Sequence, residues 1–276
     1  VVDLKTIPGL AGIERRADGW HLGALVTLAR LAGEGQLGRE LPVLAQAAGA
    51  AASPQLRHRA TLGGNLVQRP RCWYFRDPLV HCWLKGGEHC LAADGRNERH
   101  ALASTGPCHI VHPSDPAHAL VALDASVVVA GPRGGRTIPM ADFLHMPRQE
   151  AWSETVLALD ELIVDVAIPP PAGSARGAYV KAAERAVWDF ALVSAAAQVT
   201  FQGPRVAQAR LVLGGVAPVP WRASDAEEAL VGRGFDEAAI ARAAEAATAG
   251  LHPLSRNAYK LDLVRGVVSD VLRRLR

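Results

Sequence analysis

An α+β fold in two domains is the architecture this sequence predicts, and three observations carry the expectation. Short alternating or apolar stretches, several joined by Gly-containing turns, precede residue 170; the run Pro169-Pro170-Pro171-Ala172-Gly173 then breaks the chain; beyond it, three strand-like segments are followed by three helical ones. The proline run is the expected boundary between a domain over 1–170 and a smaller one over 175–276. With 276 residues in all, each part is long enough to bury a core.

Val1 to Leu4 reads as a short strand that normally follows another element. With no initiating methionine before it, the chain is expected to be a fragment or trimmed at its N-terminus. Ile13–Arg16 and Trp20–Gly23 alternate around Ala17-Asp18-Gly19, a hairpin pattern. Thr27 stands where an N-cap belongs, ahead of a short helix, and Leu41 to Ala51 forms a second helix with Pro42 in its first turn. After a Gly63-Gly64 turn and a loop-rich stretch come a helical turn at Ala119–Leu123, strands at Ser126–Ala130 and Arg136–Pro139, a short helix at Met140–Leu144 and a strand at Leu162–Ile168. Past the prolines, strands over Gly177–Ala186, Ala191–Phe201 and Val206–Leu213 precede helices over Ser224–Val231, Asp236–Ala249 and Asn257–Leu275. Apolar Leu261, Val264, Val268 and Leu275 recur at helical intervals in the last of these.

Hydrophobic content of 49% against 21% charged residues excludes intrinsic disorder. The longest uncharged apolar run, around Phe190–Phe201, is too short to span a bilayer. A net charge of only +3, spread along the chain, and 5% aromatics argue against a nucleic-acid surface. Val1 to Lys5 lacks the basic and apolar regions of a signal peptide, so the expected compartment is the cytoplasm; the alternative is the periplasm, reached on a partner with a twin-arginine signal.

All four cysteines, Cys72, Cys82, Cys90 and Cys108, lie in one segment of low apolar periodicity, so they read as a set. Their spacing is C-x9-C-x7-C-x17-C. Two disulfides require an oxidising compartment that nothing in the sequence indicates. Structural zinc usually comes with a C-x2–4-C pair, absent here, although His81, His89 and His109 stand beside cysteines. An iron–sulfur cluster takes four thiolates from separate loops and tolerates long intervals. Spacing alone leaves these open.

Three further motifs lie on either side of the cysteines and beyond them: T-L-G-G-N at Thr61–Asn65, H-P-S-D at His112–Asp115, and Y-V-K-x3-R-x3-D through Tyr179, Lys181, Arg185 and Asp189. Together they resemble the FAD-binding medium subunit of the xanthine dehydrogenase and molybdenum hydroxylase family, over the whole chain. The resemblance implies an FAD-binding domain of the PCMH type with two subdomains, lacking its first flavin loop upstream of Val1, followed by a small domain similar to the C-terminal domain of carbon monoxide dehydrogenase flavoproteins, a three-stranded antiparallel sheet with helices. The long interval between the two turn motifs, carrying every cysteine, is similar to the branch with 4-hydroxybenzoyl-CoA reductase and periplasmic aldehyde oxidoreductases. That branch implies a [4Fe-4S] cluster on Cys72, Cys82, Cys90 and Cys108, in an insertion over 66–112.

For FAD the resemblance implies Thr61, Gly63, Gly64, Asn65, Ser114, Asp115 and Lys181. Gly63 and Gly64 let backbone approach a diphosphate or ribityl chain, their N–H groups forming an anion nest; the plainer alternative is an ordinary turn. Ser114 and Asp115 take ribityl hydroxyls or the ring edge, or else cap a helix at Ala117. Lys181 brings positive charge to the flavin N1–C2 region, or else extends from its strand along apolar surface. Ile163 and Val164 supply backbone contacts to the ring. The implied partners are a molybdopterin-binding large subunit and a [2Fe-2S] small subunit, and the implied work is electron transfer, consistent with the absence of any catalytic triad or acid–base pair. The competing reading is a non-redox, zinc-binding structural subunit with an incomplete flavin site.

Overall fold

The computed structural model describes residues 3–104 and 106–276. The expected strand at Val1–Leu4 falls partly outside them, and Leu4–Thr6 is a short 3-10 helix capped by Asp3. The hairpin forms as β1 (Ile13–Arg16) and β2 (Gly19–Gly23), turning at Asp18-Gly19. Three more strands complete the N-terminal sheet: β3 (Ser126–Gly131), β4 (Gly134–Pro139) and β5 (Leu162–Ile168). Their order is β1-β2-β5-β3-β4, antiparallel throughout. Alternation decides which side each strand buries: Trp20, Leu22, Val127, Val129, Val166 and Ile168 turn into the core.

Against that core pack Leu28–Gly33, N-capped by Thr27, and Pro42–Ala50, with Pro42 in the first turn where its missing N–H costs nothing. The helix Asp115–Ala122, N-capped by Ser114, is buried along its whole length. A partly polar sequence such as D-P-A-H-A-L-V-A survives there because protein covers it on every side.

The C-terminal sheet has four strands rather than the three expected: β6 (Ala175–Ala182), β7 (Val193–Gln202), β8 (Arg205–Gly214) and the two-residue β9 (Trp221–Arg222). Both of its faces are covered. Ala178, Val180, Ala195, Ala197, Leu211 and Leu213 pack under the helices Ser224–Leu230, Glu237–Ala246 and Tyr259–Arg273. The alternate residues Tyr179, Ala196 and Val212 join the N-terminal core, under Pro42–Ala50 and Asp115–Ala122. Two glycines make this second contact possible. A Cβ on Gly177 meets the Gln198 side chain and Val43, and one on Gly214 meets Ser194 Oγ and the His118 ring.

From the contact at Gly214 we expect Gly214→Ala to destabilise the protein by about 1–3 kcal/mol through overpacking, seen as a lower thermal midpoint. Acid acts on the same interface. Burial pushes His112 down to about 3 and His118 down to about 4, from 6.5. Between those values the unfolded chain takes up protons that the folded protein refuses, so stability is complete above about pH 6.5 and is lost as pH falls. Urea midpoints are expected to drop between pH 7 and pH 5, and less so in a His118→Gln variant.

Candidate functional site

A cleft of about 860 Å³ opens beside the contact between the two domains. Of the residues expected at the flavin, Thr61, Gly64, Asn65 and Asp115 line it; Gly63 and Ser114 do not, and Lys181 lines a neighbouring cleft with Ala50 and Tyr179. The Gly63-Gly64 segment is a five-residue helix, Leu62–Leu66, capped by Thr61, instead of an open turn. Its N–H groups are already used: Leu62 donates to Val26 O, Gly63 to Ala24 O, Gly64 to Thr61 Oγ1 and Asn65 to Thr61 O. The expected anion nest is therefore absent. Gly63 instead permits close packing, since a Cβ there meets Ala24 at 3.0 Å. Gly64 is exposed to the cleft, and a Cβ on it meets only Thr61 Oγ1.

Ser114 is fully buried and serves as the helix cap: its hydroxyl accepts from Ala117 N at 3.1 Å and donates to Asn65 Oδ1 at 2.5 Å. With Oδ1 engaged, the Nδ2 amide is what Asn65 offers the cleft. Asp115 does not present a free carboxylate either. Tyr179 Oη donates to one of its oxygens at 2.6 Å and Lys181 Nζ to the other at 2.8 Å. Tyr179 and Lys181 share a face of β6 because strand side chains repeat every two residues. Lys181 donates also to Ala50 O at 3.0 Å, so its ammonium is spent inside the protein. Burial pushes the Asp115 carboxyl up, opposed by the charge on Lys181 and by the Tyr179 hydroxyl.

Much of the rim carries no signal in the sequence. Arg59, Arg71, Arg99 and Arg185 surround the cleft, with Asp189 between Arg99 at 3.8 Å and Arg185 at 3.7 Å. Trp188 and Phe190 stand exposed at its edge, and the Arg71 guanidinium lies 5.3 Å from the Phe190 ring centre. Trp188 and Ala52 both adopt positive φ, +56° and +49°, and are joined by a hydrogen bond from Trp188 N to Ala52 O. Left-handed backbone at non-glycine residues costs energy that the surroundings must offset, and it clusters at functional sites. Only the Y-V-K-x3-R-x3-D pattern hinted at this rim, through Arg185 and Asp189.

The four cysteines, all free thiols, line one small buried cavity together with Tyr74, Trp83, Leu84, His100 and Ile110. Short local structures deliver them. Cys72 precedes the turn Trp73–Arg76 and Cys82 precedes the 3-10 turn Trp83–Lys85. Gly86, at φ +90°, then reverses the chain so that Gly87 N donates to Cys82 O and Trp83 N to His89 O, bringing Cys90 back. Neighbouring backbone N–H groups favour the thiolate forms: those of Tyr74 and Phe75 at Cys72, Ala92 and His109 at Cys90, and Ile110 at Cys108. The two thiols Cys90 and Cys108 act on each other, which pulls Cys90 down from its ordinary value and pushes Cys108 up; burial pushes Cys72 up to about 11. Among the described residues no three Cys, His, Asp or Glu side chains converge on a point that holds one metal ion.

Breaking the Asp115–Lys181 pair by Lys181→Met is expected to cost about 3–5 kcal/mol, because it strands a buried carboxylate. Adding Asp115→Asn to that variant is expected to recover part of the loss, read as urea unfolding midpoints in a double-mutant cycle.

Comparison with known proteins places these features in a family. Residues 1–171 match the family of FAD binding domains in molybdopterin dehydrogenases, and residues 178–275 match the carbon monoxide dehydrogenase flavoprotein C-terminal domain. The chain is 40% identical over 261 residues to the aldehyde oxidoreductase FAD-binding subunit PaoB of Escherichia coli K12, covering 93% of this chain and 78% of that one. It is 28% identical over 254 residues to the carbon monoxide dehydrogenase medium chain of Hydrogenophaga pseudoflava, covering 92% and 72%. Quinoline 2-oxidoreductase of Pseudomonas putida 86 superposes with a TM-score of 0.74 at 27% identity, over 99% of this chain and 80% of that one. With two matched domains, a shared fold and a 40% identical relative, the chain belongs to the FAD-binding medium subunits of the xanthine dehydrogenase and carbon monoxide dehydrogenase family of oxidoreductases.

Proposed function

We propose that the chain is the electron-transfer subunit of a molybdenum hydroxylase, receiving electrons from [2Fe-2S] centres on a small subunit and holding both FAD and an additional [4Fe-4S] cluster, while substrate is oxidised on a molybdopterin-binding large subunit. The flavin part is 1–170 and the boundary is the proline run, with 175–276 as the second domain and Leu66 to His112 as the iron–sulfur insertion. One observation carries the cluster: every cysteine of the chain, from four separate loops, borders a single cavity. Four thiols delivered from separate loops to one cavity are the donor set that an iron–sulfur cluster takes. The cluster supplies one-electron transfer when bound; Cys72, Cys82, Cys90 and Cys108 hold it as thiolates, and the backbone N–H groups around them offset its negative charge.

For FAD, the cleft's donor set fits an anionic ligand with a flat ring. Four arginines face two acids, one of them already neutralised by Lys181, and Trp188 and Phe190 offer aromatic surface. In this reading Thr61, Gly64 and Asn65 touch the cofactor. Gly63, Ser114, Asp115 and Lys181 position them: Ser114 orients the Asn65 amide, and the Asp115–Lys181 pair ties the start of the helix Asp115–Ala122 to β6.

Protein purified without oxygen is expected to contain iron and sulfide in equal amounts, with most of both lost on changing any one of the four cysteines to Ser. Stoichiometric zinc without iron overturns the cluster reading in favour of a structural metal site. Gly64→Val, which puts two methyl groups into the cleft beside Thr61, is expected to lower the flavin retained per chain in the assembled complex; unchanged flavin content counts against this wall of the cleft.

A further inference from the structure

We propose that His100 donates a hydrogen bond from Nε2 to the sulfur of Cys72 and thereby raises the reduction potential of the cluster; the inference rests on the iron–sulfur reading above. His100 Nε2 lies 3.2 Å from Cys72 Sγ. An iron-bound cysteine is a thiolate, which only accepts, so this contact is attractive in the tautomer that carries its proton on Nε2. The other nitrogen agrees with that assignment. Nδ1 is buried without a partner, and an unpaired buried acceptor is better tolerated than an unpaired N–H.

The ring is held in place from several sides. Trp73, the residue after Cys72, stands edge-on to it with ring centres 4.9 Å apart. The His100 peptide oxygen accepts from Lys260 Nζ at 3.0 Å and from Asn257 Nδ2 at 3.2 Å, and its N–H donates to Asn97 O at 3.0 Å. Lys260, fully buried, donates also to Gly215 O at 2.8 Å. The helix Tyr259–Arg273 and the end of β8 thus clamp the residue that faces the sulfur. Among the described residues His100 is the side chain that hydrogen-bonds a cysteine sulfur. A hydrogen bond to a ligand sulfur draws off negative charge and favours the reduced, more negative cluster, which raises the potential. His100 is a positioning residue in this role, since it touches the ligand and not the iron.

The test is a redox titration of the full chain, followed by electron paramagnetic resonance, for wild type, His100→Leu and His100→Gln. The Leu variant is expected to keep its iron and show a lower midpoint potential. The Gln variant, whose amide nitrogen reaches the place of Nε2, is expected to regain most of the shift. Wild-type protein carrying 15N-histidine is expected to show a histidine-nitrogen hyperfine coupling on the reduced cluster. Equal potentials in all three proteins, or no such coupling in wild type, overturn the proposal. If the Leu variant loses its iron, the wild-type coupling decides alone. Iron-free wild-type protein brings down the iron–sulfur reading itself, whereas iron-bearing protein without the coupling brings down only this inference.

Discussion

Asp115 stands at the first turn of a helix buried on all sides, with its carboxylate shared between the Tyr179 hydroxyl and the Lys181 ammonium on β6. A buried carboxylate is expensive unless it is paired and hydrogen-bonded, so this helix and this strand must meet in one register and no other. Around it Ala196, Val212 and the glycines at 177 and 214 give close packing with little directional preference, joined by hydrogen bonds such as Tyr179 N to Gln46 Oε1. The ionic joint supplies the direction. It also sets the cleft, because Ser114, one residue earlier, orients Asn65, and β6 leads into the loop that carries Trp188 and Phe190.

The cysteine loops solve a different problem. Among the described residues of the stretch 86–112 there is little regular secondary structure, so their peptide groups must find partners elsewhere. Asn97, Asn257 and Lys260 provide several of them: Asn97 donates to Ala92 O, and Asn257 and Lys260 both donate to His100 O. Burial drives Lys260 down to about 7, the cost of placing an ammonium where two carbonyls need a donor. At the other end of the insertion, Arg69 donates to Glu154 and to the carbonyls of Ala151 and Trp152. Loops that would be mobile by composition are thereby fixed around the thiols.

Much of the fold was legible because its signals are local. Asp18-Gly19 between alternating segments, Thr27 as a cap, Pro42 in a first turn and the period-two runs of β3, β5 and β7 each act within a few residues. The two-residue β9 carried too little pattern to be seen, and the Gly-Gly segment gave no sign that Thr61 would cap it into a helix. At the site, the gathering of four cysteines was readable from their confinement to one segment. The partner of Lys181, the arginine and aromatic rim, and His100 beside Cys72 were not.

By itself the sequence determined the two-domain α+β plan, the grouping of the cysteines and the motifs that mark the family, since each is a matter of residue type and short-range spacing. Only the tertiary structure decided that β5 lies between β2 and β3, that Asp115 and Lys181 neutralise one another, and that a lysine from the last helix holds the loop facing Cys72. The two side-chain contacts join residues 66 and 160 positions apart, and they form because a buried charge or peptide group is costly until it is paired, a partner that no local pattern supplies.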